Sequence, residues 1–347
     1  MIGAMETTTE PKAGAQAAGG VPRWAAVAAP AALVWAAAYG ALRLFWALTG
    51  RPRLPPVGDD LGPFSDWPIV LLCAGTAVVA GAIAVPALRP RGRGGHWALM
   101  AAGAAVAVGT AFSSFLLILD AVGLLLLGAG GIPLHAGAVA SRAACAFGAV
   151  ALAAAVVAEH RRVRGRCLAC GRAPGVAPAP ERAPAWAFAA AYTVVAAVAV
   201  RTLAEVLAGG RENPLFPDGV GDPSAAFAAG ALLVVFALAG IVLPLALVHR
   251  WGRVWPRWVL PLAGRRVPRP LVLVPGVFAS AGMLCYFLMG LAALVTEGAD
   301  AWGALGYPVW FFWAAIPAYV VWGLGLGVAA VSYHRTGRPR CGTCGRG

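Results

Sequence analysis

The chain has 347 residues, 60% of them hydrophobic and only 12% charged, with a formal net charge of +13. A soluble domain carries about 25% charged residues, so long apolar runs rather than a globular core account for this composition. The positive charge does not indicate a nucleic-acid partner, because the basic residues are segregated along the chain in step with the apolar runs.

Residues 1–22 are rich in Ala, Gly, Thr and Glu without apolar periodicity, and read as a disordered tail. Eight runs follow, each long enough for the ~20 residues that cross a ~30 Å hydrocarbon slab. They lie near 24–48, 68–88, 97–119, 136–158, 185–208, 225–248, 271–295 and 306–332. The first is read as a span rather than a signal peptide, from its length and its match to the internal fifth run. The third apolar stretch continues to about Gly128, too far for one span. Its part after Asp120, around 121–133, reads as an interfacial helix or as the continuation of a tilted one. The expected fold class is all-α, a polytopic membrane helix bundle of about eight transmembrane helices.

Arginines mark one set of loops. Arg89, Arg91 and Arg93 follow the second span, Arg161, Arg162, Arg164 and Arg166 the fourth, Arg250, Arg253 and Arg257 the sixth, and Arg335, Arg338 and Arg340 the eighth. The alternate loops are neutral or acidic, with Asp59, Asp60, Asp66, Glu212, Asp218 and Glu297. Basic residues stay on the cytoplasmic side of membrane proteins. The pattern predicts a multi-pass protein of the bacterial cytoplasmic membrane with both termini in the cytoplasm and the lipid bilayer as its partner. Trp24, Trp67, Trp97, Trp186 and Trp310 fall near span ends, as an interfacial aromatic belt requires.

The chain also repeats itself. Arg166-Cys167-Leu168-Ala169-Cys170-Gly171-Arg172 returns as Arg340-Cys341-Gly342-Thr343-Cys344-Gly345-Arg346, and His160, Arg161 and Arg164 meet His334, Arg335 and Arg338 in the same register, 174 residues on. Earlier in each half a shorter offset holds: Arg43 meets Arg201, Arg53 meets Arg211, Pro56 meets Pro214, Asp60 meets Asp218 and Pro86 meets Pro244. The difference between the offsets places extra residues in the second copy, around Trp251–Arg266. Two parallel four-helix repeats are expected, 23–172 and 185–347, joined by a Pro/Gly-rich linker, 173–184. An even number of spans returns the chain to the same side, so both copies insert the same way. Gly137, Ser141, Ala144 and Gly148 on the fourth span, and Gly323 and Gly327 on the eighth, allow close helix approach.

C-x-x-C-G is the local form of a zinc knuckle, in which a tight turn brings two thiolates onto one ion. One pair is half a tetrahedral site. Cys167, Cys170, Cys341 and Cys344 together would complete a cytoplasmic four-cysteine zinc clasp tying the fourth span to the eighth. Two alternatives stand beside it: a dithiol redox pair, and an inherited tail with no ligand. His160 and His334 are candidate extra ligands or interfacial helix-end residues.

A second constellation is charged residues within the spans: Arg43, Arg201, Glu205, Asp120 and Arg142, all in the outer half of the bilayer. Buried charge in a membrane is paired or faces a wet cavity. The pairs expected are Arg201 with Glu205 and Arg43 with Asp120, Arg142 joining either. The functional reading is an outward-open site for an anionic or zwitterionic ligand, and the plainer one is structural ion pairing. No Walker loop, G-x-G-x-x-G, H-E-x-x-H or G-x-S-x-G is present, and no catalytic residue is assigned.

Leu42-Arg43-Leu44-Phe45-Trp46-Ala47-Leu48-Thr49-Gly50 resembles the R-L-x-W-A-L-x-G stretch of uncharacterised multi-pass membrane proteins from actinobacteria. The resemblance implies membrane placement and weight on the arginine, and no activity. Three functions remain open: a transporter-like or small-ligand-binding membrane protein, a membrane thiol redox protein, and a structural or regulatory membrane component.

Overall fold

A computed structural model of the chain describes residues 21–50, 66–90, 92–125, 135–173, 182–208, 223–299, 302, 306–336 and 341–345; for 223–233, 235 and 237 it describes the backbone alone. Nine α-helices are seen among them: α1 (Arg23–Thr49), α2 (Asp66–Ala84), α3 (Gly92–Phe112), α4 (Leu117–Leu125), α5 (Ala136–Val163), α6 (Ala185–Leu207), α7 (Pro223–Val248), α8 (Arg269–Glu297) and α9 (Val309–Arg335). Among the described residues there is no strand, only a bridge between Val254 and Arg266. The chain is an all-α polytopic helix bundle. In a bilayer interior every backbone N–H and C=O must find its partner within the span, and helices achieve that.

Among the described residues α1, α2, α3, α5, α6, α8 and α9 are long and apolar enough to cross a membrane. Within α7, 26 residues long, the described side chains define a shorter apolar stretch, Leu238–Val248. Helix starts are marked by proline: Pro22, Pro184 and Pro308 sit at the N-caps of α1, α6 and α9, and Pro268 at that of α8. Proline lacks the N–H that a first turn leaves unused and has its φ already set. At the other end of α1, Gly50 adopts φ +67° and its N–H closes onto the Trp46 carbonyl, the left-handed stop that glycine permits.

The third apolar stretch differs from expectation. It breaks at 113–116, not at Asp120, and α4 restarts at Leu117 with Asp120 inside its first turn. Ser113 Oγ bonds the Gly109 carbonyl and Ser114 Oγ the Ala111 carbonyl. Serine hydroxyls so placed compete for the carbonyls that would carry the helix onward. Of the interfacial segment expected over 121–133, residues 121–125 belong to α4, while 126–134 lie outside the described residues.

Packing follows one pattern in both halves of the chain. In the first, α1 packs on α2 and α5, α3 on α5 and α2, and α2 on α5; in the second, α6 packs on α7 and α9, α8 on α9 and α7, and α7 on α9. Small residues set the approach distances. A Cβ at Gly148 would overlap the Trp35 ring, so α5 lies against α1 only because that position is bare. Large apolar side chains such as Val34, Leu71, Val78 and Val150 point outward, as lipid-facing helices require. Between the halves the contact is thinner: α8 meets α3 and α4, with Phe115 stacked on Tyr286 and Cys285 buried beside Leu116.

One end of the bundle gathers the start of α3 and the end of α5, where His96 stacks on His160. It also gathers the start of α8 and the end of α9, where Arg269 donates to the carbonyls of Tyr333 and Thr336. The segment 249–268 is ordered here as a small hairpin-like loop. Trp255 N–H bonds the Arg265 carbonyl, Val267 N–H bonds the Arg253 carbonyl, and Tyr333 donates to the Gly252 carbonyl beneath it. The paired loop positions Arg53/Arg211, Pro56/Pro214 and Asp60/Asp218, and residues 1–20 of the tail, lie outside the described residues.

Candidate metal centre

Beyond α5 the chain makes a tight turn that the sequence dictates residue by residue. Gly171 takes φ +75°, so its N–H can return to the Cys167 carbonyl at 2.7 Å, while Cys167 N–H bonds the Arg172 carbonyl. Beyond α9 the same turn recurs: Gly345 takes φ +67° and its N–H returns to the Cys341 carbonyl at 2.7 Å. An L side chain would be strained at either glycine. Arg161, on the last turn of α5, donates to the Leu168 carbonyl at 2.8 Å and braces the first turn.

The two turns face each other. Cys167 Sγ lies 4.0 Å from Cys341 Sγ, and Cys170 Sγ lies 3.7 Å from Cys344 Sγ. All four sulfurs fall within 4.8 Å of one another, a group that could hold a metal ion. The geometric test is direct. Four sulfurs about 2.3 Å from a tetrahedral ion are about 3.8 Å apart, and the separations of the two facing pairs lie on either side of that value.

The thiol acidities agree with that geometry. The Cys344 backbone N–H, with that of Thr343, lowers the Cys341 thiol to about 6 against slight burial. At Cys167 burial opposes ionisation, but N–H groups of Cys170 and Ala169 and neighbouring thiols outweigh it, and the thiol falls below its ordinary value. Burial, then the three neighbouring sulfurs, push Cys170 up to about 12. The turn amides stabilise a first thiolate or two, while each further negative charge is resisted by those already there. A bound cation removes that resistance.

The charged residues within the spans do not meet at one point. Arg43, only 8% exposed, donates to Asp66 at 2.8 Å and lies against the Tyr39 and Trp46 rings. Its carboxylate is therefore Asp66, at the first residue of α2, and not Asp120. Asp120 instead accepts from Arg142, whose Nη1 reaches both of its oxygens at 2.6 and 2.8 Å. Arg201 and Glu205 do pair, at 2.8 Å along α6, as their spacing predicts. That pair is completed by two tyrosines that spacing does not reveal: Arg201 Nε donates to Tyr319 Oη at 2.7 Å, and Tyr307 Oη donates to Glu205 at 2.8 Å.

Among the described residues two cavities are seen at the end that carries the cysteine turns, and Arg43, Asp120, Arg142, Arg201 and Glu205 line neither. The larger, about 1010 Å³, lies between the halves, bounded by α5 with Cys170 and Gly171 of the first turn and by α8 and α9. The smaller, about 640 Å³, lies under Arg89, Arg93, Arg162 and Arg164 around the buried Glu159, which accepts from Arg162 at 2.7 Å. His160, at the end of α5, lines the larger cavity, as does His334 at the end of α9; neither belongs to the four-sulfur group. No protein-family model, curated protein or solved structure matches the chain.

Proposed function

We propose that this is a multi-pass protein of the bacterial cytoplasmic membrane, built from two parallel four-span repeats, whose cytoplasmic ends are joined by a structural zinc ion. The observation that carries the reading is the convergence of four sulfurs, two from each half, within 4.8 Å of one another. A four-cysteine set of this size suits zinc, which needs no open coordination position in a structural site. Two zinc charges against four thiolates leave net negative charge, which Arg161, Arg166 and Arg172 at the first turn offset. The shared packing pattern of the halves and the 174-residue register of the knuckles support the duplication. The run of arginines at the clasp end supports its cytoplasmic placement.

A ligand-binding or transporter-like role fits the space between the repeats better than the outer charged residues. Arg43, Asp120, Arg142, Arg201 and Glu205 each have a partner within the bundle, which supports structural pairing for them.

The test is the metal content of the detergent-purified protein beside a Cys167→Ser/Cys341→Ser variant. One zinc per chain, lost in the variant, is expected. A metal-free protein whose thiols cycle with an added oxidant overturns the clasp. It would favour the redox reading, in which each C-x-x-C pair, Cys167 with Cys170 or Cys341 with Cys344, gives up two electrons and two protons to the oxidant and closes to a disulfide.

A further inference from the structure

We propose that the cavity between the two halves is a binding site for one anionic phospholipid of the adjoining leaflet, its acyl chain in the apolar body and its phosphate at the arginine rim. The inference takes from the preceding reading only that the bundle spans a membrane.

The cavity is graded along the bundle axis. Its deep part is lined by Val277, Ala281, Leu284 and Gly327, and its mouth by His160, Arg161, Arg166 and Arg335. No acidic residue is among its described lining. On α9 the lining runs from Gly327 to Arg335, and on α8 from Leu273 to Leu284. At 1.5 Å per residue these are depths of roughly 12 and 16 Å. One leaflet of a ~30 Å hydrocarbon core is about 15 Å deep. The cavity as a whole therefore reaches about one leaflet deep, and its cationic part falls where a headgroup phosphate lies.

The volume, about 1010 Å³, exceeds what a free inorganic anion would fill. A purely apolar guest would not engage the basic rim. Basic side chains at a membrane surface attract acidic lipids, and arginine matches phosphate geometry with paired donors. The rim also carries the chain's own symmetry. His160 and His334, and Arg161 and Arg335, are equivalent by the 174-residue register and line the mouth from its two sides. Arg166 and Cys170 belong to the first knuckle, so the clasp forms part of the entrance.

The experiment is native mass spectrometry of the full chain released from nanodiscs containing phosphatidylglycerol, phosphatidylcholine or a mixture. One retained phosphatidylglycerol per chain is expected from the mixture, with phosphatidylcholine stripped. Arg166→Gln and Arg335→Gln, both at exposed positions, are expected to weaken retention about five-fold each. Val277→Trp fills the apolar body from a half-exposed position and is expected to abolish it. Equal retention of both lipids, or unchanged retention in Val277→Trp, overturns the proposal. Displacement by millimolar inorganic phosphate also overturns it, since an anion would then suffice without a chain. Zinc is counted in the same spectra, so failure of the clasp and failure of the lipid site are read separately.

Discussion

At the scale of single residues, charge inside the bundle is tolerated only as pairs. Asp120 is 6% exposed, and its partner Arg142 reaches both carboxylate oxygens. Arg142→Ala strands that carboxylate, and a stranded buried charge costs about 3–5 kcal/mol. The single variant should show a clearly lower thermal midpoint in detergent, and the double variant Arg142→Ala/Asp120→Ala should recover most of it. If the two variants unfold alike, the pair is not what holds these side chains. Legibility at this scale was uneven. Arg201 and Glu205 were readable because a helix places residues four apart on one face. Arg43 with Asp66 was not, because that pair joins α1 to α2 and spacing says nothing about which of several acids a long guanidinium reaches. Tyr319 and Tyr307, which complete the α6 pair, come from the far end of the chain and carry no local signal.

At the scale of elements, glycine and serine placement decides where helices lie close and where they stop. Gly148 faces the Trp35 ring with no room for a Cβ, and Trp35 is itself core. Gly148→Val should separate α5 from α1 and destabilise the protein by about 1–3 kcal/mol or more, the usual cost of overpacking. Gly94, whose Cβ would meet nothing within 4 Å, supplies the control: Gly94→Ala should leave the melting midpoint near that of the parent. Equal midpoints for both variants would show that the α1–α5 contact is plastic. Apolar run length located the spans well, since hydrophobicity must match bilayer thickness wherever the helix sits. It mislocated the break after α3. Ser113 and Ser114 act through hydrogen bonds to the preceding turn, whereas Asp120 is a residue a helix keeps when it has an arginine to meet.

For the whole molecule the question is what keeps α1–α5 and α6–α9 together. Within each half the helices pack in the same arrangement, while between the halves, among the described residues, α8 meets α3 and α4 beside a large cavity. The facing cysteine turns close that gap at one end, and the proposed zinc would fasten them. A ligand that binds the folded state alone stabilises it by about 4 kcal/mol at a thousand-fold excess over its Kd. A high-affinity zinc chelator should therefore lower the unfolding midpoint of the parent protein, and added zinc should restore it. The Cys167→Ser/Cys341→Ser variant should melt at the chelated value and ignore the chelator. A chelator-insensitive parent with bound zinc would mean that the ion sits on an end that frays without consequence.

Run length, arginine asymmetry and the returning cysteine pairs determined by themselves that this chain is an apolar helix bundle and that four cysteines were worth watching. They do so because bilayer thickness, charge retention and knuckle turns each act over a few residues of neighbouring chain. Which sulfurs face one another, which acid each arginine takes and where an empty volume lies were decided only by the tertiary structure. Those depend on the distance between segments as far apart as 174 residues, which helix packing sets and local pattern does not encode. The cavity belongs wholly to that second group: its walls come from α3, α5, α8 and α9, and no stretch of the chain records it alone.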